Sequence, residues 1–129
     1  MSFLMLEQTA WAQSKKTRIE KGILVKTTYK QDLEDGDKKR ILDKVETYNK
    51  NGELVDLKIY DRAGKYAKDW FQFKYNIKGE LIEKVEYDSK QKLKERTVYK
   101  YSKGLRISKE VFDDKERLSK KTTYEYQFK

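Results

Sequence analysis

Along most of the chain, apolar and polar side chains alternate with a period of two, in short runs separated by turn-forming clusters. Leu81, Val85 and Tyr87 share one parity, as do Leu93, Tyr99 and Tyr101, and then Leu118, Tyr124, Tyr126 and Phe128. The intervening positions carry Lys94, Arg96 and Lys100, then Arg106, Ser108 and Glu110, then Ser119, Lys121, Glu125 and Gln127. This period is that of a half-buried β-strand. It predicts strands near residues 17–33, 39–48, 54–60, 66–75, 81–87, 93–101, 105–112 and 118–128. Short connections make successive strands antiparallel. The expected fold is therefore all-β, an antiparallel β-meander of repeated hairpins forming a single twisted, elongated sheet.

The connections repeat as closely as the strands. Six residues take Tyr48 to Leu54, and the same step joins Tyr60 to Tyr66, Tyr75 to Leu81, Tyr87 to Leu93, Tyr101 to Ile107 and Phe112 to Leu118. Asn49, Asp61, Asn76, Asp88 or Asp113 follows the aromatic everywhere except at Tyr101, and Gly52, Gly64 and Gly79 come three residues later. A three-residue hairpin loop, a type I turn closed by a left-handed residue, needs this chemistry. The Asn or Asp caps the turn through its own backbone, and glycine takes positive φ without steric cost. Each flanking pair then faces across the strands, contributing about 0.2–1 kcal/mol. Gln91 and Glu116 occupy the glycine position, at a cost of about 1 kcal/mol each. Gly104 comes one residue early, which predicts a tighter turn after Tyr101. Asp35-Gly36 is the strongest two-residue hairpin signal in the chain.

A longer period overlies the corners. YNKNGELVDLKIYD at 48–61 matches YNIKGELIEKVEYD at 75–88, so a two-strand unit recurs after 27 residues. Repeats of this length build stacked arrays in which each unit touches its neighbours. Strict alternation puts Tyr87, Tyr99, Tyr101, Tyr124 and Tyr126 on one aromatic face, and Lys94, Arg96 and Lys100 on an opposite, basic one. Tyr66 and Tyr75 are an odd number of residues apart, which a bulge near Trp70-Phe71 would reconcile. The aromatic face needs a cover: the amino-terminal segment, coiling of the sheet on itself, or a second copy in a homodimer.

The pattern Y-[ND]-x-x-G-x-[LY] resembles the YD repeats of bacterial RHS-type proteins. It is also similar to the variant MORN repeats of small bacterial antitoxin-like proteins, which share the tyrosine, the glycine and a following aliphatic. The resemblance spans roughly residues 39–128. Tyr60-Asp61 and Tyr87-Asp88 match the YD signature best, whereas Tyr101-Ser102 and Phe112-Asp113 depart from it, and the second glycine of a MORN unit is absent. Larger relatives with YD repeats build shells or carbohydrate-associated surfaces, so the resemblance implies a structural or binding role. It transfers no catalytic residue.

Composition narrows the chemistry. Of the 129 residues, 41% are charged and 36% hydrophobic, which leaves a thin core. The net charge of +9 favours polyanionic surfaces, while lysine-rich faces also keep an exposed sheet from pairing edge to edge. Without Cys or His there is no thiol nucleophile, no disulfide, no imidazole base and no Cys- or His-ligated metal. At the amino terminus, the Ala-Trp-Ala-Gln-Ser stretch of MSFLMLEQTAWAQSKKT resembles a signal-peptide cleavage region, although a basic n-region is missing and Glu7 interrupts the apolar run. Residues 1–16 are thus a signal-like segment or a cap with a short helix over 3–12, and residues 17–129 a β-hairpin repeat domain. No stretch has the length of a membrane span.

Glu83 and Glu95 on adjacent strands form a conceivable glycosidase pair, but acids paired with Lys109 or Lys120 account for them better. DLEDGD at 32–37 lacks the length and terminal Glu of a calcium loop, and reads as a charged hairpin tip. RTVYKY at 96–101 interleaves bases and aromatics, yet alternation sends Tyr99 and Lys100 to opposite faces, which disfavours nucleic acid. No pattern asks for a metal or a cofactor. The expected function is that of a non-enzymatic β-repeat binding or scaffold protein of the bacterial cell envelope, periplasmic, surface-attached or secreted. It would contact a protein or an acidic polysaccharide through the tyrosine face or through Lys94, Arg96 and Lys100. The alternative is a cytoplasmic antitoxin or immunity protein that blocks a toxin by surface contact.

Overall fold

The computed structural model describes residues 15–31, 33 and 39–129. Eight strands form one antiparallel sheet in chain order. They are β1 (Val25–Lys30), β2 (Ile41–Tyr48), β3 (Leu54–Tyr60), β4 (Ala67–Tyr75), β5 (Leu81–Tyr87), β6 (Leu93–Ser102), β7 (Leu105–Phe112) and β8 (Leu118–Thr123). Each strand contacts only its sequence neighbours, so the meander is open and a single layer thick among the described residues. No described side chain falls below 2% exposure; the most buried apolar ones are Tyr48, Tyr99, Val111 and Val85. With no second layer of strands to bury against, most strand side chains stay half-buried.

The expected strand over 17–33 is corrected. Residues 15–21 form a short helix, α1, and the strand begins only at Val25. Gly22, at φ 65°, ends the helix: its N–H donates to the Ile19 carbonyl and the Ile23 N–H donates to that of Arg18. That pair of bonds is a Schellman cap, in which a left-handed glycine stops the helix and turns the chain into β1. The Asp35-Gly36 turn and the helix over 3–12 lie outside the described residues.

The corners form as expected. At the first, Asn49 Oδ1 accepts from the N–H groups of Asn51 and Glu53, and Gly52 stands at φ 73°. Gln91 and Glu116 do take the left-handed conformation, at φ 64° and 59°. Tyr48 pairs with Leu54, Tyr75 with Leu81, Tyr87 with Leu93 and Phe112 with Leu118. Two expected partners are wrong. Tyr60 faces Ala67 rather than Tyr66, because the loop from Asp61 to Tyr66 holds one more residue than the others. Tyr101 faces Arg106 rather than Ile107, because Lys103 and Gly104, both at positive φ, form a two-residue turn.

Each of these corners also carries a bulge that strict alternation misses. Tyr87 pairs with Leu93 but Glu86 pairs with Glu95, so Lys94 is an extra residue on the outgoing strand. Val55, Ile82 and Ser119 are the extra residues at three other corners. The bulge in β4 falls at Lys68 and not at Trp70-Phe71. Each insertion exchanges the two faces of the strand that follows. The strand-ending aromatics therefore alternate. Tyr48, Tyr75 and Tyr101 stand on one face, here the first, and Tyr60, Tyr87 and Phe112 on the second.

Candidate functional site

The five tyrosines expected on one face are divided. Tyr99 and Tyr101 are on the first face, and Tyr124 continues it beyond β8. Tyr87 is on the second, because the Lys94 bulge inverts β6 relative to β5. Its ring stacks on Trp70 with centroids 4.5 Å apart, and its hydroxyl donates to Gln72 Oε1 at 3.3 Å. Trp70 in turn donates through Nε1 to Asp56 at 2.7 Å.

Three of the other four tyrosines, Tyr99, Tyr101 and Tyr126, contact a residue that alternation assigns to the polar face. The Arg106 guanidinium lies 4.2 Å from the Tyr99 ring centroid and 5.7 Å from that of Tyr101, and donates to the Tyr101 hydroxyl at 3.1 Å. The Tyr126 hydroxyl donates to the Arg106 backbone carbonyl at 2.6 Å. The sequence signal for this cluster is the early Gly104, which shifts the partner of Tyr101 by one position.

Lys94, Arg96 and Lys100 do not form a free basic patch. Lys94 pairs with Glu86 at 3.1 Å, a contact that raises its pKa above the usual lysine value. Arg96 reaches Glu83 at 3.5 Å and Glu116 at 3.6 Å while lying over Phe112, and Lys100 pairs with Glu110 at 3.3 Å. Glu83 and Glu95 fall on opposite faces, since Glu83 pairs with Val98 and Glu95 with Glu86. That separation removes them as a two-carboxylate site.

A groove of about 380 Å³ opens between α1 and the first corner, a site no sequence pattern announced. Arg18 anchors its helix wall by donating to the Gly52 carbonyl at 3.0 Å and lying 4.2 Å above the Tyr48 ring. Tyr48 donates to Glu46, and burial, followed by that carboxylate, pushes its hydroxyl up to about 12. On the other side Tyr75 donates to the Leu54 carbonyl at 2.8 Å; burial, then the charge of Glu53, raises its pKa. Glu53 is only 7% exposed. Its Oε1 accepts from Asn49 Nδ2 at 3.0 Å, while Oε2 has no hydrogen-bond partner among the described residues. Gly79, at φ 82°, packs close to that oxygen: a Cβ there would lie 3.1 Å from it.

These surfaces offer stacking, hydrogen bonding and ion pairing. No protein-family model matches the chain, and none of the curated proteins matches it.

Proposed function

We propose that this protein is a non-enzymatic β-repeat module of the bacterial cell envelope that binds a partner protein through its sheet. The observation that carries this reading is the single open layer of strands, on which half-buried aromatics stand on both faces and α1 is the one described element packed over any of them, at Tyr48. Tyrosine and tryptophan on such a surface give a partner apolar area together with a hydrogen-bonding tip. An acidic glycan has weaker support, because Lys94, Arg96 and Lys100 each already face a glutamate. The signal-like Ala-Trp-Ala-Gln-Ser stretch supports the envelope location.

The test is site-specific photo-crosslinking in native cells, with a photoreactive phenylalanine analogue at Tyr101, at Tyr87, or at the exposed corner residue Lys50. The expected result is one defined protein adduct in the envelope fraction from a sheet position and none from Lys50. Equal labelling from all three positions, or adducts confined to the cytoplasm, would contradict it.

A further inference from the structure

β8 ends the sheet, and its register shows which backbone groups face outward. The Tyr124 N–H donates to the Ile107 carbonyl at 3.1 Å, so Thr122 and Lys120, two and four residues earlier, also turn their backbone groups toward β7. In an antiparallel ladder the alternate residues point theirs away. Lys121 and Thr123 thus present their N–H and C=O groups on the outer edge. Among the described strands β8 contacts only β7. The chain beyond it does not double back over that edge, because the Tyr126 hydroxyl donates to the Arg106 carbonyl and holds the tail beside β7.

Charge then selects what can pair there. Lys74, Lys94 and Lys100 find their acids, Glu83, Glu86 and Glu110, on an adjacent strand. β8 has a neighbour on one side only, and its Lys120 and Lys121 have no ion-pair partner among the described residues. Lys121 stands directly across from Glu110, but that carboxylate lies 3.3 Å from Lys100 on the far side. Both lysines are exposed, and they point to opposite faces of the strand. A second copy cannot complement them, because the edge strands β1, VKTTYK, and β8, LSKKTT, both lack Asp and Glu. Lysines that keep like edges apart admit an acidic one. We propose that β8 accepts an antiparallel acidic strand from a partner protein, with two adjacent acidic residues, one on each face, opposite Lys120 and Lys121. Main-chain bonds to Lys121 and Thr123 supply affinity, and the two ion pairs supply selectivity. The inference rests on the partner-binding reading and adds the edge by which the partner attaches. A titration that reads this edge alone can fail while crosslinks from the faces stand.

The experiment titrates the isotope-labelled full chain with the terminally blocked peptide Thr-Thr-Val-Glu-Glu-Val-Thr-Thr, followed through backbone amide signals. Saturable shifts and slowed hydrogen exchange are expected at Lys121 and Thr123, and neither along β1. The same peptide with lysines in place of its glutamates should bind about threefold or more weakly. N-methylation tests the strand geometry: methyl groups on one alternate set of peptide amides should weaken binding about fivefold or more, and on the other set should leave it nearly unchanged. The double variant Lys120→Gln, Lys121→Gln, at exposed positions, should still bind the peptide but lose the preference for glutamate over lysine. The proposal is overturned by no saturable shift at β8, by equal affinity for the two peptides, by equal effects of the two methylated sets, or by a preference that survives in the double variant. Lys121 and Thr123 amides already protected from exchange in the free chain would also overturn it, since the edge would then be covered.

Discussion

The hydroxyl of Tyr75 donates to the backbone carbonyl of Leu54 at 2.8 Å, tying the end of β4 to the beginning of β3. The next two-strand unit repeats the bond from Tyr101 to Leu81 at 2.7 Å, and the last from Tyr126 to Arg106 at 2.6 Å. The recurring tyrosine thus has a structural task besides covering the sheet: it latches one end of the β3–β4, β5–β6 and β7–β8 hairpins. Tyr75→Phe should therefore lose about 1 kcal/mol in a urea melt, the net worth of a hydrogen bond. Tyr101→Phe should lose at least as much, since it also gives up the Arg106 contact. A Tyr60→Phe control, at a corner without a described latch, should lose less.

Left-handed corner residues supply the second expectation. Gly79→Val should cost 1 kcal/mol or more, roughly, from the steric penalty at positive φ. Gln91→Gly should stabilise by about 1 kcal/mol for the same reason. Glu116→Gly should gain less, because Glu116 also pairs with Arg96 at 3.6 Å. Chemical denaturation of the three variants checks both the signs and the order.

Facial assignment can be read from tryptophan fluorescence. In a Trp11→Phe background the only remaining indole is Trp70, which stacks on Tyr87. Tyr87→Ala should shift its emission and lose about 0.5–1.5 kcal/mol beyond the buried area. Tyr99→Ala, on the other face, should leave the emission unchanged.

Stability should fall at both ends of the pH scale. Backbone N–H groups, chiefly those of Lys92 and Arg117, hold the carboxyls of Asp88 and Asp113 below the usual range. A depressed folded-state pKa contributes stability above the unfolded value, which is lost from about pH 5 downward. Asn49 and Asn76 make the same backbone contacts without titrating, so the double variant Asp88→Asn, Asp113→Asn should flatten the acid side of the profile. On the alkaline side the Tyr48 pKa is raised, so its contribution is complete below pH 10 and disappears as pH rises toward about 12. Tyr48→Phe should remove that slope.

The meander, the strand positions beyond residue 39 and most corners were legible because turn chemistry and a period of two are local signals. Faces were not. A bulge such as Lys94 adds one residue with no compositional mark, yet inverts every position after it; this is how Tyr87 parted from Tyr99. The Arg106 cluster was legible only through the early Gly104. The groove was not legible at all, since Arg18 and Glu53 are 35 residues apart and meet only when α1 reaches the first corner. Lys94, Arg96 and Lys100 read as a basic face because their glutamate partners lie on neighbouring strands.

The proposal that both sheet faces, uncovered by described elements away from α1, are open to a partner is tested most directly by relaxation of side-chain methyl signals with a soluble paramagnetic probe, on dilute protein shown to be monomeric by sedimentation. Leu57 and Ile59 report on the first face, Val45 and Val98 on the second. Both sets should be attenuated to a similar degree. Protection of either set as a whole would mean that one face is already covered, and would contradict the account.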